Sequence, residues 1–489
     1  MDSGRLSHLA AADQVSLWRQ IRSAIGRGVS SRLALVAGGV GLVAVLVRLP
    51  GVYGQPFWQD EVASARILRA STLTGMLARV GRTESTPPLW YFLGWGLHAS
   101  GASLQDVRLL SVAAGGLLAA LVVILARRFV SLPLAAVAGG LVALGGEFVA
   151  RGQELRSYEL FALLCVVLAL CLVAELALPS TKREIGLAGT VAAGGLTHYF
   201  FVFSVLAALA WLQLDRGTRT IARRASIAIV CGGAVAAAWA PITLRQYHQD
   251  RFWWIGPFRL RYVWAVPLRL FTYAFDNTSV GLTLSTVVIG GVLLGAAKLV
   301  RDSPEGRLVV ALAVLPVACA AVVWASGMQV FALRNLISVG PFVAIAIATA
   351  LDRLPRPTAV VVAAALCVGL AVSLQVSTAN TFPRFDAIAR TLVRDGWRPR
   401  DPIAVFGSPF TYRSPLEWYL PRQPQLDAAR SIARVCAEMF VVSPTGGVKL
   451  LRPDEPAGRD LRLRRATILV DPAHRPSCLR PLRLTPNVA

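Results

Sequence analysis

The stretch LLSVAAGGLLAALVVILARRFVSLPLAAVAGGLVALGGEFVA (109–150) decides the fold. It holds two long apolar runs separated by the pair Arg127-Arg128. A bilayer core is crossed by about 20 apolar residues in a helix. Two such runs joined by a short basic turn read as a transmembrane hairpin. The composition agrees, because 55% of the 489 residues are hydrophobic, 16% are charged, and the mean hydropathy is +0.57. A soluble domain carries about one-quarter charged residues. These values exclude a disordered chain or a coiled coil.

Outward from that hairpin, eleven runs are predicted to span the membrane. They lie at 33–50, 106–125, 132–150, 158–178, 185–198, 200–214, 225–244, 278–299, 308–325, 335–352 and 358–375. The first begins too far into the chain for a signal peptide and lacks an A-x-A cleavage site. Basic residues favour cytoplasmic loops. Arg5, Arg19, Arg22, Arg27 and Arg32 precede the first run. Arg127/Arg128, Lys182/Arg183, Arg216/Arg219/Arg223/Arg224, Lys298/Arg301/Arg307 and Arg353/Arg356 fall on the same side. This predicts a cytoplasmic N-terminal segment (1–32), a transmembrane domain (33–379) with outer loops 51–105 and 245–277, and an extracytoplasmic domain (380–489).

The net charge is +23, carried almost wholly by Arg, since Lys occurs only at 182, 298 and 449. The Arg residues lie between apolar runs and form no stripe, which argues against nucleic-acid binding. FWQ (57–59), PPLWYFLGWGL (87–97) and RFWWIGPF (251–258) are too polar to span yet rich in aromatics. They suit segments lying at headgroup level, and a plain aromatic belt has the same composition. In the tail, DPIAVFG (401–407), AEMFVVSPTGG (437–447) and RATILVDP (465–472) read as strands. RFDAIARTLVRDG (384–396) and SPLEWYL (414–420) read as helices, which predicts a small α/β domain. Cys165, Cys171, Cys231, Cys319 and Cys367 lie in apolar runs, whereas Cys436 and Cys478 stand alone in the tail and are expected to pair there.

Five polar elements fall on the expected outer face. FWQDEVASARIL (57–68) carries the adjacent acids Asp60 and Glu61 beside the membrane, where ionised groups are costly. Helix-starting acids are also ordinary. TESTPPLWYFLGW (83–95) places Glu84 before a Pro-Pro pair. ARGQELRSYELF (150–161) offers Glu154, Arg156, Tyr158 and Glu159 on one turn. THYFF (197–201) brings His198, and VFALRNLISVGP (330–341) brings Arg334. Polar clusters at one depth imply a shared cavity. For Arg156 an ion pair with Glu154 or Glu159 competes with ligand binding. For Arg334 the competing role is snorkelling toward headgroups.

Arg48-x-Pro50, the Asp60-Glu61 pair, Glu84 before Pro87-Pro88-Leu89, GASLQDVRLLSVAAG (101–115), GQELRSYEL (152–160) and HYFF (198–201) occur in this order. The ordered set resembles the GT-C membrane glycosyltransferases of the protein O-mannosyltransferase and aminoarabinose-transferase type, over about residues 40–350. The resemblance implies transfer of a sugar from a polyprenyl-phosphate donor to an acceptor hydroxyl of a glycan, glycolipid or protein at the outer face of the cell membrane, mannosyl transfer foremost. It implies Asp60 as general base with Glu61 beside it, and Glu84, Glu154, Arg156, Tyr158, His198 and Arg334 as substrate-binding residues. Glu84 and His198 would also offer two ligands to a divalent metal ion. Many relatives have His where Thr86 stands. Two other function classes remain open: a transporter or flippase of lipid-linked sugars, and a non-catalytic scaffold for cell-envelope assembly.

Overall fold

The computed structural model describes residues 30–248, 255–272, 279–378, 384–394, 403–405, 409–420, 426–428, 439–442 and 448–451. Their contacts divide them into two compact units. The first comprises the described residues of Met1–Val52 and Ala70–Ser377, and the second those of Tyr53–Arg69 and Thr378–Ala489.

The first unit is all helical. It opens with α1 (Ser31–Gly54), which runs on into the second unit. The later helices of the first unit that position the site are α3 (Leu73–Thr83), α4 (Leu89–Ala99), α5 (Leu109–Ala126), α6 (Leu132–Leu144), α7 (Gly146–Gly152), α8 (Tyr158–Ala177), α9 (Thr181–Gly195) and α10 (Phe201–Leu214), α2 (Gln59–Leu68) belonging to the second unit. The chain continues through α11 (Ala222–Ala237), α12 (Ala240–Tyr247), α13 (Leu260–Arg269), α14 (Ser279–Asp302), α15 (Pro304–Ala325), a 3-10 turn at Leu333–Val339, α16 (Gly340–Leu351) and α17 (Arg356–Thr378).

All eleven apolar runs are helical, but they do not give eleven spans by length and composition. Among the described residues six helices are long and apolar enough to cross a membrane. The number rises to eight if α6 with α7, bent by 55°, and α11 with α12, bent by 62°, each count as one span. The physical reason is length: α9 and α10 have 15 and 14 residues, fewer than a perpendicular crossing needs. Small residues let the helices approach closely, as membrane helix packing requires. A Cβ on Gly41 would stand 2.9 Å from the Gly116 carbonyl oxygen, and one on Gly139 would stand 2.9 Å from that of Ala119. α5 packs on both α6 and α8, and α16 on α6 and α14. Their apolar faces form one buried cluster that includes Leu118, Val122, Phe148, Phe161, Phe342 and Ile345.

The basic ends of these helices are tied by ion pairs, including Arg224 to Glu184 at 2.6 Å, Lys298 to Asp352 at 2.5 Å, and Arg307 to Asp215. Burial would raise the Asp215 carboxyl, but the Arg307 guanidinium and the Gly217 amide outweigh it and hold the group below its ordinary value. Loop 51–105 is helical for much of its length, and the PPLWYFLGWGL segment forms α4, with Trp90 and Tyr91 buried and Phe92, Leu93 and Leu97 exposed. The five cysteines of the apolar runs are free thiols; Cys165 is buried and Cys231 exposed.

The second unit joins α2 (Gln59–Leu68) to the C-terminal part of the chain. There α18 (Phe385–Arg394) buries Phe385, Ile388, Ala389 and Leu392 and packs on α19 (Pro409–Tyr419). Strands β1 (Ile403–Val405), β2 (Leu426–Ala428), β3 (Met439–Val442) and β4 (Val448–Leu451) form one sheet in the order β2-β1-β3-β4. β1 pairs in parallel with β2 and β3, and β3 pairs antiparallel with β4. The expected strand at 465–472 and the Cys436–Cys478 pair lie outside the described residues.

Candidate functional site

In the first unit the polar elements of four segments converge. The turn between α7 and α8 is pinned from α5, where the buried Ser111 hydroxyl lies 2.9 Å from the carbonyl oxygens of both Glu154 and Arg156. That leaves Arg156 directed at α3 and α4. Its Nη1 donates to Oε2 of Glu84 and to the Tyr91 hydroxyl, each at 2.9 Å. Glu84 ends α3 and is 4% exposed. The Pro87-Pro88 pair then starts α4, and the Leu89 amide donates to the Leu196 carbonyl at 2.9 Å. This bond ties the Pro-Pro segment to the α9–α10 connection, which carries His198.

His198 is buried and stacked on Phe161, with ring centroids 4.5 Å apart. Its Nδ1 accepts the Phe200 amide at 3.2 Å, so the ring proton belongs on Nε2. Burial, reinforced by the charges of Arg156 and Arg334, pushes the imidazole down to about 3. The ring is therefore a neutral Nε2–H donor in a positive local field. Tyr158 lies next to it, at 5.8 Å between centroids. The guanidinium carbons of Arg151 and Arg334 each lie 5.9 Å from the Tyr158 ring centroid, near the outer limit for a cation–π contact.

Two further ion-pair systems frame this cluster. Arg151 reaches Glu147 Oε1 at 2.9 Å and Glu154 Oε1 at 2.6 Å. Arg48 and Glu159 form a fully buried pair at 3.3 Å. Arg48 also donates from Nη1 to the Ala44 and Ala143 carbonyls at 2.9 and 3.0 Å. The Ala143 carbonyl belongs to the last turn of α6, where a helix end has carbonyls without helical partners. Arg48 thus satisfies the broken end at the α6–α7 bend. Gly115 and Gly152 flank it, and a Cβ at either position would collide with the Arg48 side chain.

The structure therefore brings together Glu84, Glu154, Arg156, Tyr158, His198 and Arg334. Sequence reasoning missed Tyr91, Glu147 and Arg151, and quoted Arg48 without a role. A signal for two of these exists. Glu147 and Arg151 are spaced i,i+4 at the end of an apolar run, where a paired acid and base would face each other. Arg156 bonds Glu84, and Glu154 bonds Arg151.

In the second unit Asp60 and Glu61 occupy the first turn of α2. No side chain caps this helix at Trp58, so its partial positive end favours acids there. Glu61 is buried at 1% exposure, and Asp60 is partly exposed.

The residues fit a divalent metal poorly. Among the described residues no three His, Cys, Asp or Glu side chains converge. Oε2 of Glu84 is already engaged by a guanidinium.

No protein-family model matches the chain, and no curated protein matches it. Solved structures do. ArnT from Cupriavidus metallidurans, bound to undecaprenyl phosphate, superposes with a TM-score of 0.53 at 12% identity, over 84% of this chain and 93% of that one. The Archaeoglobus fulgidus oligosaccharyltransferase in complex with zinc and sulfate gives 0.50 at 13% identity, over 84% and 73%. The same protein tethered to an acceptor peptide containing the NVT sequon gives 0.52 at 14%, over 81% and 64%. This likeness shows the fold alone: a polytopic α-helical membrane protein of the GT-C-like kind.

Proposed function

We propose that this chain is a membrane glycosyltransferase that moves a sugar, mannose foremost, from a polyprenyl-phosphate donor to an acceptor hydroxyl. The observation that carries the reading is the pair of guanidiniums near His198 and Tyr158, Arg156 held by Glu84 and Tyr91, and Arg334. The fold supports it, since one structure sharing that fold holds undecaprenyl phosphate.

The chemistry asks for such a cluster. The acceptor oxygen attacks the anomeric carbon, the carbon–oxygen bond to phosphate breaks, and the acceptor proton leaves. The donor phosphodiester carries one negative charge, and the departing polyprenyl phosphate carries a second. Charge that develops during reaction is where fixed cations lower the barrier most. Arg156 and Arg334 take this role, because a guanidinium meets phosphate oxygens bidentately. The His198 Nε2–H adds a neutral donor. Asp60 takes the acceptor proton as general base, and Glu61, Glu154 and Tyr158 position substrate. The side preference of basic loops supports an N-terminus in the cytoplasm and, with an odd number of crossings, residues 380–489 outside.

The test uses purified protein in lipid vesicles with labelled polyprenyl-phosphate sugars and glycan, glycolipid or peptide acceptors. The expected result is sugar transfer by the wild type and a drop of about 10²–10⁴-fold in Asp60→Asn, the range for loss of a general base. Equal transfer by Asp60→Asn would remove the general-base assignment. Movement of lipid-linked sugar across the vesicle membrane without transfer would identify a flippase instead.

A further inference from the structure

The helix that carries Asp60 and Glu61 is gripped by three consecutive residues from the far end of the chain. Tyr419 accepts the Phe57 amide on its hydroxyl at 2.6 Å, just before α2 begins. Trp418 meets the Phe57 ring edge-on, with centroids 6.1 Å apart, and the Arg69 guanidinium lies over the same indole at 4.2 Å. Arg69 is the residue that ends α2. Glu417 pairs with Arg66, in the last turn of α2, at 3.1 Å. One turn of α19 therefore touches α2 at its N-terminal entry, in its last turn and at its C-terminal end.

These contacts differ in strength. The Arg66–Glu417 pair is partly exposed, and such pairs contribute little. Phe57 is 5% exposed, so the ring contact and the amide bond are shielded from water. Behind them α19 is anchored by buried Leu416 and Leu420 and by packing on α18, whose Phe385, Ile388 and Leu392 are fully buried. The Trp58 side chain makes no cap bond to α2, and the chain enters the first turn, where both acids sit, from Phe57. A short helix of ten residues is not stable on its own in water and takes its geometry from what it packs against.

We propose that α19 is a positioning element for the reaction: Trp418 and Tyr419 set the orientation of the first turn of α2 and hence of the Asp60 carboxylate. The C-terminal part of the chain would then act on the rate of proton removal, beyond any part it has in holding the acceptor. This rests on the assignment of Asp60 as the proton acceptor.

The experiment compares Tyr419→Phe, Trp418→Ala and Trp418→Phe with wild type in lipid vesicles. It reads kcat and donor KM alongside hydrogen exchange of amides 57–62. A base displaced by about 1 Å can cost 10²-fold in rate. The expected result is a fall in kcat of roughly 10- to 100-fold for Tyr419→Phe and Trp418→Ala with donor KM unchanged. Faster exchange at 57–62 should accompany it, and Trp418→Phe, which keeps a ring against Phe57, should recover most of the rate. Unchanged kcat with unchanged exchange overturns the proposal. So does a loss of kcat that merely tracks loss of folded protein, or one that Trp418→Phe fails to rescue. If wild type transfers no sugar while exchange at 57–62 still rises in the variants, the proposed function fails and the mechanical coupling of α19 to α2 stands.

Discussion

Arg156 Nη1 stands 2.9 Å from Oε2 of Glu84, with both side chains nearly excluded from solvent. The two residues lie 72 positions apart and meet because the α7–α8 turn and the end of α3 face one another. Removing one partner of a buried pair leaves a desolvated charge, which costs about 3–5 kcal/mol. Glu84→Gln and Arg156→Gln should each lower thermal stability in detergent. The double variant should lose less than the sum, because both members of the pair are then removed together. Additive losses in a double-mutant cycle would show that the pair is not energetically coupled.

A related expectation concerns Arg48 and Glu159, both at 0% exposure. Arg48→Met should destabilise the protein by about 3–5 kcal/mol, because Glu159 is left buried without its cation. Adding Glu159→Gln should restore much of that loss. Arg48→Met alone should also loosen the α6–α7 bend, read as faster hydrogen exchange at 143–149, because the Ala143 carbonyl loses its donor.

His198 should not titrate in the working pH range. With its pKa pushed down to about 3 from 6.5, the folded state binds no proton there between pH 8 and 5. The unfolded chain does bind one below about 6.5. Stability from this residue is therefore present above pH 6.5 and is lost as pH falls from there toward 3. Histidine-labelled protein should show one ring, assigned by His198→Gln, that stays neutral and protonated on Nε2 from pH 8 to 5. A ring that gains charge near pH 6.5 would refute this.

Phosphate binding should separate Arg334 from the structural cations. Arg334→Gln should weaken binding of polyprenyl phosphate by about tenfold or more, within the 1.5–3 kcal/mol ascribed to a hydrogen bond with a charged group. Arg334→Lys should recover only part, since an ammonium lacks the fork. A variant in which Arg307 is replaced, an arginine paired with Asp215 near the other end of α15, should bind the lipid phosphate as well as wild type. Equal binding by wild type and Arg334→Gln would remove Arg334 from the site.

Much of the fold was legible in the amino-acid order. The apolar runs fold as helix, two of them broken by a bend, because about 20 apolar residues in a row have few other stable states. In the tail, the strands at Ile403–Val405 and Met439–Val442 and the helices at Phe385–Arg394 and Pro409–Tyr419 fall on segments read as such, whereas the strands Leu426–Ala428 and Val448–Leu451 were not foreseen. The span count was less legible. Runs such as 200–214 satisfy hydropathy, yet their helices are too short for a straight crossing. The residues Glu84, Arg156, His198 and Arg334 could be chosen from sequence because charge and imidazole stand out against apolar surroundings.

The pairing of those residues was decided only by tertiary structure. Local spacing suggests Arg156 with Glu154 or Glu159, four residues or fewer away, but the backbone of the turn is held by Ser111 and sends Arg156 to Glu84 and Tyr91. Arg151 then takes Glu154, and Arg48 takes Glu159 from 111 positions away. The grip of Trp418 and Tyr419 on Phe57 likewise joins residues more than 360 positions apart. Hydropathy and composition act locally and so determine where the helices are. Which buried charges meet depends on how the helices pack, and no short-range pattern in the chain encodes that.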